Sequence, residues 1–255
     1  MPSKKKAGVK SAERTLDLLE LLASSHAPLS FTQVAQALQL PKASVHGLLK
    51  TLEGRGYVKL EEQGYRLGRR AMLIGLAYTE TDVAWVRDLA RPLVDRLQRL
   101  TGETVHLAIL DGTEVIFLLI KESPHPFRLV SSVGGHMPAH LCSLGKAMLA
   151  TRSDEEIRNL YSRGSFETLT EHSISTLDDL CEDLNTARVR GFAFDNQESH
   201  LGVQCVARAV QGAQGRILAG LSVSAPSVRM KYDVFAEAVV AVADELAELL
   251  QYHKP

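Results

Sequence analysis

The spacing of apolar residues between residues 29 and 67 changes from helical to strand-like, which predicts a winged helix-turn-helix. Ser30 and Gln33 form a capping-box pattern that opens a short helix. Leu40-Pro41 interrupts that helix, and the proline is suited to the first turn of the next one. Apolar residues then recur at steps of three and four and predict one buried stripe, formed by Val45, Leu48, Leu49 and Leu52.

A hairpin is predicted directly after this second helix. Tyr57 to Leu60 alternates as a strand, Glu61 to Gly64 supplies a turn, and Tyr65 to Leu67 returns as the partner strand. The exposed face of the second helix and the wing carry short polar and cationic side chains, which reach phosphates and base edges in DNA. The residues assigned to DNA on this basis are Lys42, Ser44, His46, Gly47, Lys50, Thr51 and Arg66.

The charge is distributed unevenly along the chain. Residues 1–70 contain twelve Lys and Arg against six Asp and Glu, whereas the remaining residues contain seventeen against twenty-four. A basic module joined to an acidic one is expected of a DNA-binding head on a separate body. Lys4-Lys5-Lys6 and Lys10 add a basic arm, which we expect to be a solvated tail. A helix-turn-helix that makes no DNA contact remains the open alternative.

Length and composition restrict the remaining classes. A chain of 255 residues suits two domains with a sizeable core. No apolar run approaches the roughly 18 residues of a membrane span, and no apolar segment follows the basic N-terminus as in a secretory signal. We therefore expect a cytoplasmic protein without a membrane partner. Cys142, Cys181 and Cys205 are scattered and are expected to be reduced thiols.

Three regions are predicted along the chain: a winged head in residues 1–70, a linker helix in 71–82, and an effector-binding and oligomerisation domain in 83–255. The linker prediction rests on the apolar helical run from Ala71 to Glu80. Such a helix would be half exposed alone, so we expect it to pack against a partner. The first helix, Ser11 to Ser24, has a similarly wide apolar face.

The C-terminal region mixes strands and helices and predicts an α+β fold with a mostly antiparallel sheet. Its strongest signal is a hairpin from Thr104 to Leu110 and Glu114 to Ile120 around Asp111-Gly112. Further strands are predicted at Phe127 to Val133, Gly191 to Phe194, Val203 to Val210, and Ile217 to Ser224 at a sheet edge. Further helices are predicted at Asp82 to Leu100 (kinked or restarted by Pro92), Ser143 to Ala150, Asp154 to Tyr161, Leu177 to Arg190, and from Pro226 to about Leu250.

Two stretches of this region carry candidate chemistry. Gly134 to Ala147 places glycines and small polar residues before a helix, whose first N–H groups can seat an anion such as a carboxylate. Asp195 to Arg208 is the second, with Ser222 and Ser224 on one face of a later strand. The Asp195 carboxylate would repel an anion, so we expect it to accept a hydrogen bond from a ligand hydroxyl or a backbone N–H. Each signal is weak alone, since Ser143 could be only an N-cap and Cys205 only a buried apolar residue.

Several motifs follow one another in the order of a known family: Leu40 to His46, Leu48 to Leu52, Gly56 to Val58, Tyr65 to Gly68, Thr104 to Ala108, Pro138, Gly145 to Ala150, Gly191 to Asp195, and Gly202 to Ala207. On these motifs the chain resembles the IclR family of bacterial transcriptional regulators across nearly its full length. The resemblance implies a winged-helix head and a GAF-like effector domain joined by a linker helix. It also implies a homodimer or dimer of dimers on palindromic double-stranded operator DNA. A small organic effector, such as a carboxylate or an aromatic acid, would tune the DNA affinity.

The resemblance also implies an effector pocket, which falls on Leu141, Ser143, Leu144, Asp195, Val203, Cys205, Ser222 and Ser224. Two departures from the family pattern matter. Gly47 stands where members carry a large basic residue in the recognition helix, at a cost of about 1 kcal/mol of helix stability. Ser143-Leu144 is bulkier than the pairs of some relatives, so the effector's identity does not carry over.

Two other classes compete with a metabolite-responsive regulator. An enzyme is disfavoured because the sequence has no Gly-x-Ser-x-Gly elbow, phosphate loop or paired-histidine metal motif, and we expect no cofactor. A metal-sensing regulator would use His140, Cys142, Asp195 and Cys205. Those are zinc-ligand residue types, but they lack a short Cys/His repeat.

Overall fold

A computed structural model describes residues 8–25, 27–79, 82–162, 166–212 and 215–252. The chain divides into two compact units, Met1–Thr81 and Asp82–Pro255. Most of the basic N-terminal arm lies outside the described residues, and so do the last residues of the run from Ala71 to Glu80. The separate role of residues 71–82 as a linker stays a prediction.

The first unit begins with three helices around a small apolar core. They are α1 (Lys10–Ser24), α2 (Phe31–Ala37) and α3 (Lys42–Gly54). The capping box at α2 is confirmed, because the Ser30 side chain accepts the Gln33 N–H while the Gln33 side chain accepts the Ser30 N–H. Pro41 stands as the N-cap of α3, just before its first turn. The core consists of Leu18, Leu22, Val34, Val45, Leu49, Leu52 and Val58, with Leu48 partly buried against it.

The wing follows as strands β1 (Val58–Glu61) and β2 (Gly64–Leu67), paired antiparallel. Gly64 has a positive φ of 138°, and a Cβ there would lie 2.5 Å from the Leu29 carbonyl oxygen. Glycine is therefore required where the wing meets the segment before α2. Helix α4 (Arg69–Thr79) closes the unit, and its Met72, Leu73 and Ile74 side chains are exposed.

The second unit is an α+β domain, as predicted. Its described elements are α5 (Asp82–Thr101), β3 (Thr104–Asp111), β4 (Glu114–Lys121), β5 (His136–Pro138), α6 (Ser143–Leu149), α7 (Asp154–Leu160), α8 (Leu177–Arg190), β6 (Ala193–Asn196), β7 (Val203–Gln211), β8 (Ile217–Pro226) and α9 (Tyr232–Tyr252). The helix α5 continues through Pro92, so the proline begins no new helix. The predicted hairpin is confirmed as β3 and β4.

The described strands of this unit form one antiparallel sheet in the order β5-β4-β3-β8-β7-β6. Because successive side chains of each strand point to opposite faces of the sheet, the two faces contribute to two separate apolar cores. One core joins a face of the sheet to α5 and α9. The other core joins the opposite face to α6, α7 and α8.

The prediction of a strand from Phe127 to Val133 is wrong. That segment pairs with no strand of the described chain, and β5 pairs with β4 instead. Phe127, Val130 and Val133 are 70%, 67% and 65% exposed, so apolar composition alone produced the strand signal. We call residues 126–135 the cover segment, because part of it lies over the cavity described below.

Two predictions about the end of the chain are also wrong. The strand carrying Ser222 and Ser224 is interior, between β3 and β7, and both of its faces are covered. Pro226 ends β8 and caps a short 3-10 helix, Ser227–Arg229, so the terminal helix begins only at Tyr232. The position of a strand in the sheet and the start of this helix both depend on neighbouring strands, which the local residue pattern does not reveal.

The described helices also bear on membrane association. None of them is both long and apolar enough to cross a membrane.

We predict that Gly47→Ala stabilises the first unit. A Cβ at Gly47 would meet no atom within 4 Å, so alanine adds no clash and restricts the unfolded chain. The expected gain is about 0.5–1 kcal/mol, measured as about 2- to 5-fold slower hydrogen exchange of the protected α3 amides. Gly145→Ala is the contrasting variant, because its Cβ would lie 2.1 Å from the Ala139 oxygen and should destabilise the second unit. Unchanged or faster exchange in Gly47→Ala would contradict the prediction.

Candidate functional site

A cavity of about 220 Å³ lies in the second unit, between the sheet face opposite α5 and α9, the start of α6, and the cover segment. The two predicted stretches of candidate chemistry meet there. Six of the eight predicted pocket residues line it: Ser143, Leu144, Asp195, Cys205, Ser222 and Ser224. The other two do not line it, since Leu141 is fully buried in the 3-10 helix before α6 and Val203 pairs with Pro226 at the start of β7.

Strand register explains why distant residues share the floor of the cavity. Ser224 lies opposite Thr104 on one neighbouring strand and opposite Cys205 on the other, and Cys205 lies opposite Asp195. These four residues form one row across the sheet, because directly opposed residues point to the same face. The next position in register places His106 opposite Ser222.

Several lining residues are absent from the predicted pocket set. His106, Phe117 and Ser131 lie outside both predicted stretches, and Met137, Ser199 and His200 lie within them. A signal existed for His106, because Thr104, His106 and Ala108 alternate on one face of the predicted hairpin. No such signal existed for Ser131, which lies in the cover segment outside any regular element. Its place over the cavity depends on contacts with residues far away in sequence.

Two serine hydroxyls are available to a ligand. Ser143 and Ser222 are each 1% exposed and line the cavity, and neither side chain forms a hydrogen bond with the described residues. Both oxygens keep some accessible surface and are not among the fully buried atoms without a partner, so they are open to the cavity. Cys142, not Ser143, is the N-cap of α6, and its thiol accepts the Gly145 N–H at 3.4 Å. The Ser143 hydroxyl is therefore not used as a helix cap.

Asp195 has no exposed surface and its oxygens are engaged within the protein. One carboxylate oxygen accepts the Glu198 N–H at 2.8 Å, and the other accepts the Ser199 hydroxyl at 3.0 Å. Burial raises the pKa of Asp195 above its usual value. The side chain thus holds the turn from Asp195 to Ser199 along one wall of the cavity.

A buried lysine connects that turn to two helices. The Lys146 ammonium on α6 is wholly buried and lies 2.7 Å from the Glu198 carboxylate and 3.1 Å from the Asp183 carboxylate on α8. Burial lowers the pKa of Lys146, but these carboxylates raise it more, so it lies above its usual value. Burial also raises the pKa of Glu198 to about 7. The lysine charge is neutralised inside the protein and does not line the cavity.

The residues proposed for a metal sensor do not assemble into a site. His140 does not line the cavity, and its Nε2 lies 2.9 Å from the Glu167 carbonyl oxygen. Burial raises the pKa of Cys142 to about 12 and that of Cys205 well above its usual value, so both remain thiols near neutral pH. Among the described residues, no three His, Cys, Asp or Glu side chains are close enough together to hold a metal ion.

The predicted DNA-contacting residues lie on α3 and the wing of the first unit. Lys42, His46, Gly47, Lys50, Thr51 and Arg66 are exposed, and Ser44 is half-buried. Thr51 donates its hydroxyl hydrogen bond to the Gly47 carbonyl at 2.8 Å. In the described part of this unit, Glu61 pairs with Lys59 and lies 4.0 Å from Arg66, whereas Lys42 and Lys50 have no ion pair. These two lysines leave positive charge on the exposed face of α3.

Comparison with known proteins gives the family of both units. The model of the bacterial transcriptional regulator IclR C-terminal domain matches residues 79–248. The model of the IclR helix-turn-helix domain matches residues 11–62. The two matches fall in the two structural units and together span most of the chain.

Individual relatives match over nearly their full length. The HTH-type transcriptional regulator BhcR of Paracoccus denitrificans is 33% identical over 94% of this chain and 87% of its own length. The transcriptional repressor IclR of Escherichia coli is 31% identical over 93% of this chain and 89% of its own. An IclR homolog from Microbacterium hydrocarbonoxydans, crystallised with 4-hydroxybenzoate, has a TM-score of 0.78 at 21% identity, covering 95% of this chain and 100% of its own. The chain described here therefore belongs to the IclR family of bacterial transcriptional regulators.

Proposed function

We propose that this protein is a non-catalytic regulator whose α3 helix contacts operator DNA and whose cavity binds a small organic effector. The observation that carries the effector site is the pair of hydroxyls on Ser143 and Ser222, which line the cavity and form no side-chain hydrogen bond with the described residues. A ligand that hydrogen-bonds to them would satisfy groups that the protein leaves unpaired. A cytoplasmic location stays a prediction.

The lining of the cavity supports a small ligand with a polar end and an apolar body. Phe117, Met137 and Leu144 supply apolar surface beside the serine hydroxyls. The volume of about 220 Å³ is below the roughly 300–1,000 Å³ of sites for drug-sized molecules. The homolog crystallised with 4-hydroxybenzoate, a small aromatic acid, supports the same chemical class.

The effector can alter operator affinity only by binding the DNA-competent and DNA-incompetent states with different affinities. A coupling free energy of about 1–3 kcal/mol would change operator affinity about 5- to 150-fold. The same coupling must appear when DNA is added first, because linkage is reciprocal. Calorimetry should therefore give the same coupling free energy whether effector is added to the DNA complex or DNA is added to the effector complex.

We propose that the regulator acts as a homodimer or a dimer of dimers. The support is an exposed apolar surface on α4, where Met72, Leu73 and Ile74 are 57%, 57% and 61% exposed, together with Leu16 on α1, which is 57% exposed. Contiguous exposed apolar side chains mark protein interfaces. A palindromic operator also requires two-fold symmetry in the protein that reads it.

We predict that Lys50→Ala weakens binding to every DNA sequence and lowers the slope of log affinity against log salt by about one. The physical reason is the loss of one phosphate contact and its released counterion. The measurement is a fluorescence titration of duplex DNA at several salt concentrations. Lys121→Ala is the matched control, because it removes an equal charge that pairs with Asp95 in the second unit. An unchanged slope in Lys50→Ala would remove this residue from the interface.

We predict that the double variant Ser143→Ala, Ser222→Ala binds the effector about 5- to 150-fold more weakly, because two hydrogen bonds of about 0.5–1.5 kcal/mol each are lost. DNA binding without effector should be nearly unchanged. A thermal-shift screen of small organic and aromatic acids finds the ligand, and calorimetry measures its affinity. Ser175→Ala, at an exposed serine of the same unit, is the control. Equal affinity of wild type and double variant would place the effector site elsewhere.

We predict that Leu73→Glu weakens self-association and lowers operator affinity in parallel, since a charge would replace an apolar contact. Sedimentation velocity at micromolar concentration measures the first effect, and a DNA titration measures the second. Val189→Glu is the control, because it places the same charge at a 90% exposed apolar residue on α8 of the second unit. A wild-type monomer with full operator affinity would contradict the dimer proposal.

A further inference from the structure

The cover segment, residues 126–135, forms the outer wall of the cavity without belonging to the sheet. Leu129, Val130, Ser131, Ser132 and Gly135 line the cavity from this side. The segment contributes no strand, so its position depends on a few separate hydrogen bonds instead of a continuous ladder. These hydrogen bonds therefore determine how the cavity can open.

Both ends of the cover segment are fixed by its backbone. At the start, Arg229 donates to the Phe127 carbonyl at 2.9 Å, and the Thr104 hydroxyl donates to the Leu129 carbonyl at 3.3 Å. At the end, Phe117 forms two backbone hydrogen bonds with the segment: its carbonyl accepts the Gly134 N–H at 2.8 Å, and its N–H donates to the Gly135 carbonyl at 3.0 Å. The middle of the segment lies between these anchors.

Within the described residues, one side-chain hydrogen bond joins that middle to the sheet. The His106 Nε2 atom lies 3.1 Å from the Ser131 hydroxyl oxygen. His106 is 2% exposed, its ring packs on Phe117 with centroids 5.2 Å apart, and its Nδ1 lies 3.5 Å from the Ser224 hydroxyl. The imidazole is thus fixed in the sheet, and Ser131 is the partner that can leave.

The imidazole of His106 is uncharged under ordinary conditions. Burial lowers its pKa to about 4, so one ring nitrogen carries a hydrogen and the other accepts near pH 7. A neutral hydrogen bond of this kind contributes only about as much as a factor of 2 to 12 in an equilibrium constant. It can hold the segment closed and still break often.

We propose that His106 is a positioning residue of the effector site, which holds the cover segment closed through Ser131 and releases it when a ligand enters or leaves. The proposal rests on the proposed function of the cavity, since it assigns this contact to the route into that site. The anchors at Phe127 and at Gly134 act as the fixed ends of the moving segment. When the contact breaks, the freed imidazole nitrogen faces the cavity and becomes available to a polar atom of the ligand.

Two native cysteines report this opening without any ligand. Cys142 and Cys205 line the cavity beneath the cover segment and are 7% and 6% exposed. Cys181 is also buried, at 4%, but belongs to α8 and does not line the cavity. Labelling at Cys181 therefore gives the reference rate of a thiol outside the cavity in the same molecule.

The experiment is methanethiosulfonate labelling of the full-length native protein, resolved by peptide mass spectrometry at each cysteine. Ser131→Ala should label about 2- to 12-fold faster at Cys142 and Cys205 than wild type, the factor that corresponds to one hydrogen bond. The rate at Cys181 should not change. Ser131→Thr keeps the hydroxyl and should label like wild type.

Ser132→Ala is the matched control, because Ser132 is the next residue, lines the same cavity and makes no side-chain hydrogen bond with the described chain. His106→Leu should accelerate labelling as Ser131→Ala does, and combining the two should add little more, since both remove the same contact. Equal cavity labelling in Ser131→Ala and wild type would overturn the proposal. So would an equal rise at Cys181, or an equal effect of Ser132→Ala. An absence of effector binding would instead count against the proposed function alone, because labelling uses no ligand.

Discussion

The ion-pair cluster around the buried Lys146 ammonium is the interaction on which the second unit depends most. It joins α6 to α8 through Asp183, and α6 to the turn after β6 through Glu198. Removing the lysine ammonium would leave the buried Glu198 carboxylate without its cation, and a loss of this kind costs about 3–5 kcal/mol. The turn that this cluster fixes is also the one in which Asp195 binds the Glu198 N–H and the Ser199 hydroxyl. Stability and the shape of one cavity wall therefore come from the same contacts.

Close packing of α6 on the sheet places the other walls. A Cβ at Gly145 would lie 2.1 Å from the Ala139 oxygen, and one at Gly220 would lie 3.0 Å from the Leu144 side chain. Only glycine at position 145 allows the backbone of α6 to approach the preceding 3-10 helix so closely, whereas a Cβ at position 220 would require the Leu144 side chain to shift by a few tenths of an ångström. This approach brings Ser143 and Leu144 beside the row of side chains from β3, β8 and β7.

Features that depend on residues close together in sequence were predicted, whereas features that depend on contacts between distant residues were not. The capping box at Ser30, the hairpin of β3 and β4, and α8 from Leu177 to Arg190 depend on residues within a few positions of one another. The cover segment and the interior place of β8 depend on which distant strands pair, and apolar spacing carries no such information. For the site, the residue pattern already indicated Asp195, Cys205, Ser222 and Ser224, and the resemblance to the family gave the same positions. Lys146 was recognised only as part of a motif, because its two partners are 37 and 52 residues away in sequence.

The alternation of residues along β8 limits how this protein can change during evolution. Its alternating residues serve two purposes, since Leu221, Val223 and Ala225 lie in the core with α5 and α9, whereas Ser222 and Ser224 line the cavity. A register slip of one residue would exchange these sets, putting hydroxyls into the core and aliphatic groups into the cavity. A one-residue insertion or deletion within this stretch would therefore disturb both sets at once, whereas a substitution at Ser222 or Ser224 changes the cavity and leaves the core residues in place. Of the two sets of residues on β8, only the set that faces the cavity can vary without disturbing the core.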